Sequence, residues 1–319
     1  MKILANDGIS QAGVNQLEEA GFVVSTTNIP QDQLIDKINE EEIAVLLVRS
    51  ATKVRQDLID ACPGLKLIGR GGVGMDNIDV AYARSKGLHV INTPGASSQS
   101  VAELVMGQLF ALSRTLHDAN RKMPQMGSSA FKSLKKKYAK GQELRGKTLG
   151  IIGFGRIGQS LASYALGAGM EVKAVDFSTE RVYIQVPVGK EQHVGVHIQP
   201  VQELASIITE LDYISLHVPK QADGAAIIAD QTIQNMKDGV IIVNAARGGV
   251  IDEDAILKNV NSGKIRAIAL DVFENEPTPR TDLLEHENIS STPHIGAATQ
   301  EAQTRIGIEL TEQIINLLK

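Results

Sequence analysis

Between Lys147 and Phe177 the chain reads KTLGIIGFGRIGQSLASYALGAGMEVKAVDF, a stretch that admits little besides strand, tight turn, helix and strand. Leu149, Ile151 and Ile152 make a short apolar run of strand type. Gly153, Gly155 and Gly158 fit G-x-G-x-x-G, and Ile157, Leu161, Tyr164, Ala165 and Ala168 repeat with helical period. Val172 to Val175 form a second strand, closed by Asp176, 18 residues after Gly158. In a dinucleotide-binding unit each glycine has a task. Gly153 makes the turn, Gly155 lets the backbone approach a pyrophosphate, and Gly158 lets helix pack on strand. The amides that open the helix then face the phosphates. A carboxylate at Asp176 would hold both hydroxyls of an adenine ribose and repel a 2′-phosphate, which favours NAD over NADP. The competing reading is a βα turn with no ligand. A bare glycine triplet would not separate the two, but the strand before, the helix after and the acid at the next strand end favour the nucleotide.

A chain of 319 residues has room for two domains, and 43% apolar content supports real cores. A net charge of −5 argues against a nucleic-acid surface, and Cys62, the one cysteine, excludes an internal disulfide. No N-terminal segment resembles a signal peptide, and no apolar run approaches the ~20 residues of a membrane span. A soluble cytoplasmic protein is expected, with no membrane or nucleic-acid partner.

Residues 1–92 alternate strand-like runs (Lys2–Asn6, Phe22–Ser25, Ile43–Val48, Leu67–Arg70, His89–Ile91) with amphipathic stretches (Val14–Ala20, Gln31–Asn39, Gln56–Ala61, Val80–Ser85). This alternation predicts a parallel sheet covered by helices. Two loops at predicted strand ends stand out, Arg49-Ser50-Ala51-Thr52 and Arg70-Gly71-Gly72-Val73-Gly74. Ligands bind at that edge of open α/β sheets, and arginines beside glycine-freed amides suit a small anion. Solvated surface arginines are the bland alternative, less attractive for two such loops on one edge.

Asn92-Thr93-Pro94-Gly95 reads as a hinge. A helix is then expected from Ser100 to about His117, with Ser100 as cap, Glu103 completing a capping box, and Met106, Leu109, Phe110 and Leu112 buried. Residues 120–145 are rich in lysine (Lys132, Lys135, Lys136, Lys137, Lys140). They are either a solvated excursion or an arm reaching a second subunit. A second α/β block follows, with strands expected at Tyr213–His217, Val240–Val243, Ala267–Leu270 and Ile289–Ser291. Residues 182–198 alternate around Pro187-Val188-Gly189-Lys190 and predict a β-hairpin insertion. His193 and His197 fall in that hairpin, where their spacing does not make a metal pair, so no metal is expected. Residues from about 298 to Lys319 predict a last helix packed on the first domain through Ile306, Ile308, Leu310, Ile314, Ile315 and Leu317.

Three segments at predicted strand ends of the second block carry chemistry: Val243–Gly249, Asp271–Pro277 and Ser291–Gly296. Arg247 can grip a carboxylate and polarise the adjacent carbonyl. His294 can give or take a proton at that oxygen, and Glu276 can hydrogen-bond the imidazole and favour its charged form. Taken singly, a histidine after proline or a Glu-Pro turn is more often structural. Meeting at one edge beside a dinucleotide turn, the three read as a hydride-transfer set.

The stretches VRSATKV (48–54), GRGGVGMDNIDV (69–80), NTPG (92–95), SVAEL (100–104), ELRGKTLGIIGFGRIG (143–158), SLHVP (215–219), VNAARGGVIDE (243–253), ALDVFENEP (269–277) and TPHIGAATQEAQ (292–303) resemble, in order and spacing, the D-isomer-specific 2-hydroxyacid dehydrogenases, and within them the members that oxidise 3-phospho-D-glycerate. The resemblance implies an α/β fold of two Rossmann-like doubly wound parallel sheets. A discontinuous, flavodoxin-like substrate domain would span 1–98 plus 297–319, and an NAD-binding domain 99–296, with a dimerisation arm at about 100–145. It implies catalytic Arg247, Glu276 and His294. Of the two glutamates in FENEP, the one before proline matches. It places NAD on Gly153, Gly155, Arg156, Ile157, Gly158 and Asp176, with His217, Val218 and Pro219 along the adenosine. Ala245, Ala246 and Asp271 would meet the nicotinamide, with Gly296 beside it. Arg49, Ser50 and Arg70, with backbone amides near Gly72 and Val73, would hold the substrate's carboxylate and phosphate.

The implied reaction is NAD-dependent oxidation of 3-phospho-D-glycerate to 3-phosphooxypyruvate, the first step of L-serine biosynthesis, in a homodimer or tetramer. A hydroxypyruvate or glyoxylate reductase, another D-2-hydroxyacid dehydrogenase, or an NAD-sensing corepressor are the alternatives. The sequence stops at the last predicted helix, so regulatory domains and serine feedback are not expected. The hairpin at 182–198 is longer than the family's usual segment, and the arm has Leu134-Lys135-Lys136-Lys137-Tyr138 where many relatives carry tryptophan.

Overall fold

Ile43–Val48 reads IAVLLV, and all six residues are buried, the mark of a strand covered on both faces. In the computed structural model, which describes residues 1–319, it is the central strand of the first of two units. That unit comprises Met1–Ser100 and Ala297–Lys319; the second comprises Val101–Gly296.

The first unit alternates β1 (Lys2–Ala5), α1 (Gln11–Glu19), β2 (Val23–Ser25), α2 (Leu34–Glu40), β3 (Ile43–Val48), α3 (Gln56–Ala61), β4 (Leu67–Arg70), α4 (Val80–Ser85) and β5 (His89–Asn92). The strands pair in parallel in the order β2-β1-β3-β4-β5, the flavodoxin-like arrangement. One face of the sheet packs Leu46, Val48 and Ile68 against Leu34, Ile38 and Leu58. The other face packs Ile3, Val45 and Leu67 with Leu17 and with Ile306, Leu310 and Ile314 of the C-terminal helix, Gln300–Leu318. Burial of each such side chain contributes about 1.5–3 kcal/mol, so this face depends on the returning helix. Thr299 caps that helix by accepting from the Ala302 amide at 3.2 Å. It meets α1 closely. A Cβ on Gly13 would lie 3.2 Å from the Gly307 carbonyl carbon, and one on Gly307 would overlap the Ser10 hydroxyl.

The second unit is entered through α5 (Ser98–Ser113) and continues α6 (Leu116–Lys137), β6 (Thr148–Ile152), α7 (Arg156–Gly167), β7 (Glu171–Val175), β8 (Val182–Val188), β9 (Gln192–Ile198), β10 (Tyr213–Leu216), α8 (Asp230–Gln234), β11 (Val240–Asn244), α9 (Glu253–Ser262), β12 (Ile265–Leu270), α10 (Thr281–Glu285) and β13 (Ile289–Ser291). Six strands pair in parallel in the order β13-β12-β11-β10-β6-β7. The order reverses between β6 and β10, which creates a crevice at their C-terminal ends. β8 and β9 form the antiparallel hairpin expected from the alternation, pairing Val182 with Ile198 through Val188 with Gln192. Ile184, Val186 and Ile198 are buried, whereas Tyr183 and Val194 are exposed.

The region after the hinge departs from the sequence reading. The helix begins at Ser98, so Ser100 lies inside it and is not its cap. It ends at Ser113 rather than near His117, because Thr115 takes a left-handed conformation (φ 54°). Phe110, expected to be buried, is 49% exposed. Leu116, Met123, Met126 and Phe131 of α6 are exposed as well. The lysine-rich segment is largely the helix α6, kinked at Ala130, a form that Pro124 conceals in the sequence. Lys137 is exposed but paired. It bridges Asp118 at 2.8 Å and Glu287 at 3.0 Å, tying the end of α6 to its start and to the turn before β13.

Asp118 is 2% exposed. Burial alone would raise its carboxyl, but hydrogen bonds from Lys137, Tyr138 and Lys122 outweigh burial and hold it below the usual carboxylate range. A depressed folded-state value gives stabilisation that is present above the ordinary carboxylate range and fades as pH falls through the depressed value. Asp118→Asn is expected to lower stability at neutral pH by about 1–3 kcal/mol, as for a buried charged hydrogen-bond partner removed. Urea unfolding at neutral and acid pH should show the gap to wild type closing in acid.

Candidate active site

The turn after β6 is shaped by what its glycines permit. Gly153 has φ 91°, and a Cβ there would lie 2.5 Å from the His217 carbonyl oxygen and 2.9 Å from Val218 Cγ1. A Cβ on Gly158 would overlap the Gly153 carbonyl. At Gly155, the residue before α7, a Cβ would meet nothing within 4 Å, and no side chain caps the helix. The space above Gly155 and the opening amides of α7, at Arg156 and Ile157, therefore suit a pyrophosphate. Asp176 follows β7 directly. Its Oδ2 accepts from the Phe154 amide at 2.6 Å and its Oδ1 from the Ser178 amide at 3.1 Å, so Asp176 braces the glycine turn. Across the crevice His217, Val218 and Pro219 follow β10. The His217 ring meets the Ser215 hydroxyl at 2.8 Å, its Nδ1 is buried without a partner, and burial pushes its pKa to about 3. These residues fit a dinucleotide.

The ends of β11, β12 and β13 carry the second group. Asn244 clamps the turn after β11 by accepting from Ala246 N (3.0 Å) and donating to the Arg247 carbonyl (2.9 Å). Arg247 Nη1 donates to Ala246 O at 2.6 Å. Gly248 brings this turn against the loop after β12, since a Cβ there would overlap the Phe273 carbonyl. Within that loop the Phe273 amide donates to Glu276 Oε1 at 3.0 Å. Glu276 Oε2 lies 2.8 Å from His294 Nδ1. Burial raises the Glu276 carboxyl, but the hydrogen bonds from His294 and Phe273 and the charges of His294 and Arg247 bring it below the usual range. An ionised carboxylate only accepts, so Nδ1 carries the proton and Nε2 is left as the basic nitrogen. His294 itself has φ 53°.

Asp271 fixes the turn that carries His294. Its Oδ1 accepts from the Thr292 hydroxyl (2.6 Å) and Ile295 N (2.9 Å), and its Oδ2 from Gly296 N (2.8 Å). The resemblance assigns Asp271 to the nicotinamide, whereas its observed hydrogen bonds go to this turn. Ala245 and Ala246 lie at the end of β11 in the same unit.

In the first unit, the loops after β3 and β4 lie side by side. A Cβ on Gly71 would stand 3.5 Å from Arg49 Cγ. The Arg49–Thr52 loop is built on Asp7, whose carboxylate accepts from Arg49 N (2.6 Å), Thr52 N (3.1 Å) and the Thr52 hydroxyl (2.6 Å). Asn77 donates to the Arg49 and Thr52 carbonyls at 2.8 and 2.6 Å. Ser50 and Val73 are exposed. Gly72, at φ 140°, leaves room for the Arg70 guanidinium, which donates to Gly71 O at 3.3 Å. Asp7, Asn77, Asn244 and Glu253 escaped the sequence reading. For Asp7 and Asn244 the one signal available was an acid or amide at or just past a strand end; Asn77 and Glu253 carried none.

The sequence profile for the NAD binding domain of D-isomer specific 2-hydroxyacid dehydrogenases matches residues 106–296. The chain belongs to that family. This dehydrogenase is 47% identical to a hydroxypyruvate reductase of Thermotoga maritima, over 99% of its own length and 98% of the relative's. It is 43% identical to a D-3-phosphoglycerate dehydrogenase of Methanocaldococcus jannaschii, over 100% of its own length but 58% of the relative's. Its fold matches the D-lactate dehydrogenase of Aquifex aeolicus complexed with NAD and lactic acid, with a TM-score of 0.75 and 28% identity, covering 100% of this chain and 95% of that one. The dehydrogenase is an NAD-dependent oxidoreductase acting on small 2-hydroxy acids. No helix is long and apolar enough to cross a membrane.

Gly153→Ala should push the Val218 side of the crevice away and weaken NADH binding at least about tenfold, a loss of roughly 1.4 kcal/mol. Titration of NADH fluorescence checks it.

Proposed function

We propose that the enzyme oxidises 3-phospho-D-glycerate to 3-phosphooxypyruvate, the first step of L-serine biosynthesis. In this reading Val101–Gly296 is the NAD-binding domain and Met1–Ser100 with Ala297–Lys319 the substrate domain. Bound NAD supplies the hydride acceptor. Arg247 holds the substrate carboxylate and steadies the developing carbonyl. His294 takes the C2 hydroxyl proton on Nε2. Glu276, ionised and hydrogen-bonded to Nδ1, fixes the ring's tautomer and stabilises the imidazolium. Gly153, Gly155, Arg156, Ile157, Gly158, Asp176, His217, Val218, Pro219, Ala245, Ala246 and Gly296 form the cofactor's wall, with Asp271 holding the His294 turn in place. Arg49, Ser50 and Arg70, with the amides of Gly72 and Val73, take the phosphate. The observation that supports a phosphorylated substrate is the pair of arginine loops packed side by side on one sheet edge.

The second reading, hydroxypyruvate reduction, is favoured by the relative matched along its full length. The two share every residue of the hydride-transfer set and differ only in what Arg49 and Arg70 meet. The exposed apolar side chains Phe110, Leu116, Met123, Met126 and Phe131 support a homodimer through the α5–α6 arm.

Comparison of kcat/KM for 3-phospho-D-glycerate and D-glycerate with NAD, and for hydroxypyruvate with NADH, tests the substrate. A preference of about 100-fold or more for the phosphorylated acid is expected, falling by about tenfold or more in Arg49→Ala or Arg70→Ala, as for charge-assisted contacts of this kind. A higher value for hydroxypyruvate gives the reductase. Absence of turnover on all three leaves the NAD-sensing corepressor. Arg247→Ala and His294→Asn should each lower kcat by about 100-fold or more while NADH binding persists, and near-normal turnover would sink the catalytic assignment.

A further inference from the structure

Glu253 opens α9, where a glutamate ordinarily points to solvent. Here it is 5% exposed. Its Oε1 accepts from the Glu274 amide at 2.9 Å, while Oε2 is buried with no hydrogen-bond partner. A carboxyl with one oxygen unsatisfied in the interior is expensive, and a leucine or glutamine would fill the space at less cost. Burial, opposed by the Glu274 amide and aided by the Glu274 charge, pushes its pKa up. Glu274, Arg280 and Asp282 are the charged groups around it. Lys220 stands near the same wall at Gly249.

The amide that Glu253 holds is next to the one that Glu276 uses. Phe273 N donates to Glu276 Oε1 at 3.0 Å, and Glu276 Oε2 meets His294 Nδ1 at 2.8 Å. Gly248, one residue after Arg247, packs on that same peptide, since a Cβ there would overlap the Phe273 carbonyl and lie 2.6 Å from the Glu274 nitrogen. The segment 247–253 therefore grips the Phe273–Glu274 peptide through two of its residues. One makes a backbone contact beside Arg247, and the other a side-chain hydrogen bond at its far end.

We propose that Glu253 is a positioning residue for hydride transfer, fixing the Phe273–Glu276 loop against the Arg247 turn so that Glu276 stays on His294. This rests on the reading of Arg247, Glu276 and His294 given above. In its neutral form the Glu253 carboxyl still accepts from Glu274 through its carbonyl oxygen, so a glutamine can take over the task and an alanine or aspartate cannot. Without the anchor, the loop loses its register and Glu276 its hold on the imidazole. The imidazole then loses the partner that orients it and that faces the positive charge it gains during the reaction.

The test uses purified full-length variants and oxidation of 3-phospho-D-glycerate or D-glycerate, whichever the wild type turns over. Glu253→Ala is expected to lower kcat/KM about tenfold or more and to move the acid limb of the pH profile. NADH binding should stay within about twofold of wild type, and Glu253→Gln should recover most of the rate. Should the alanine variant fail to fold, Glu253→Asp, which keeps the charge but cannot reach the amide, is expected to show the same fall and the same shift. Combining Glu253→Ala with Glu276→Gln should cost no more than Glu276→Gln alone, since both act on one contact. A rate loss with an unmoved acid limb, losses that add in the double variant, or a glutamine variant as impaired as alanine would each overturn the proposal. If Glu276→Gln itself leaves rate and profile intact, it is the reading of Glu276 that has failed. If Glu276→Gln is impaired and Glu253→Ala and Glu253→Asp are not, only the role of Glu253 has.

Discussion

A single hydrogen bond, 2.8 Å from Glu276 to His294, joins two loops that leave neighbouring strands of one sheet. Neither loop would hold its end unaided. Asp271 gathers the Thr292 hydroxyl and the Ile295 and Gly296 amides, which sets the turn under His294. The Phe273 amide and Glu253 set the loop that presents Glu276. Asn244 sets the turn that presents Arg247. The side chains able to do chemistry are thus few, and those that orient them are acids and amides bonded to backbone. Such support holds a reacting geometry to a fraction of an ångström.

The same economy governs the cofactor side. Glycine is required at Gly153 and Gly158 by contacts with His217 O and with the turn's own carbonyl, and at Gly155 by the space a phosphate needs. Asp176 bonds the Phe154 amide, so the acid proposed for the ribose and the glycine turn form one piece. Replacing Asp176 to admit a 2′-phosphate would therefore also release the turn, and a cofactor switch needs a new acceptor for that amide.

Much of the fold could be read from the chain because buried parallel strands are short unbroken apolar runs between turn residues. Gln56–Ala61, Val80–Ser85 and Ile289–Ser291 match the expected spans, and most other strands differ by a residue or two. The hairpin at 182–198 was legible from its alternation and its Pro-Val-Gly-Lys turn. The α5–α6 region was not. Ser100 and Glu103 imitate a capping box inside a helix that starts two residues earlier, and Pro124 disguises α6, which is helical on both sides of a kink at Ala130. Phe110 fits the apolar period but faces outward, since periodicity marks an apolar side without saying what covers it. Likewise Glu276 and His294 could be named from the strand-end pattern, while Asp7, Asn77 and Glu253 gain meaning only from partners distant in sequence.

The C-terminal helix supplies Ile306, Leu310 and Ile314 to a core whose other members come from the first hundred residues. On a ribosome, those early strands emerge long before the helix that closes them, and the whole of Val101–Gly296 is made in between. The inserted unit can therefore finish folding first. The older half must wait with one apolar face uncovered, which makes it the segment most in need of a chaperone during synthesis.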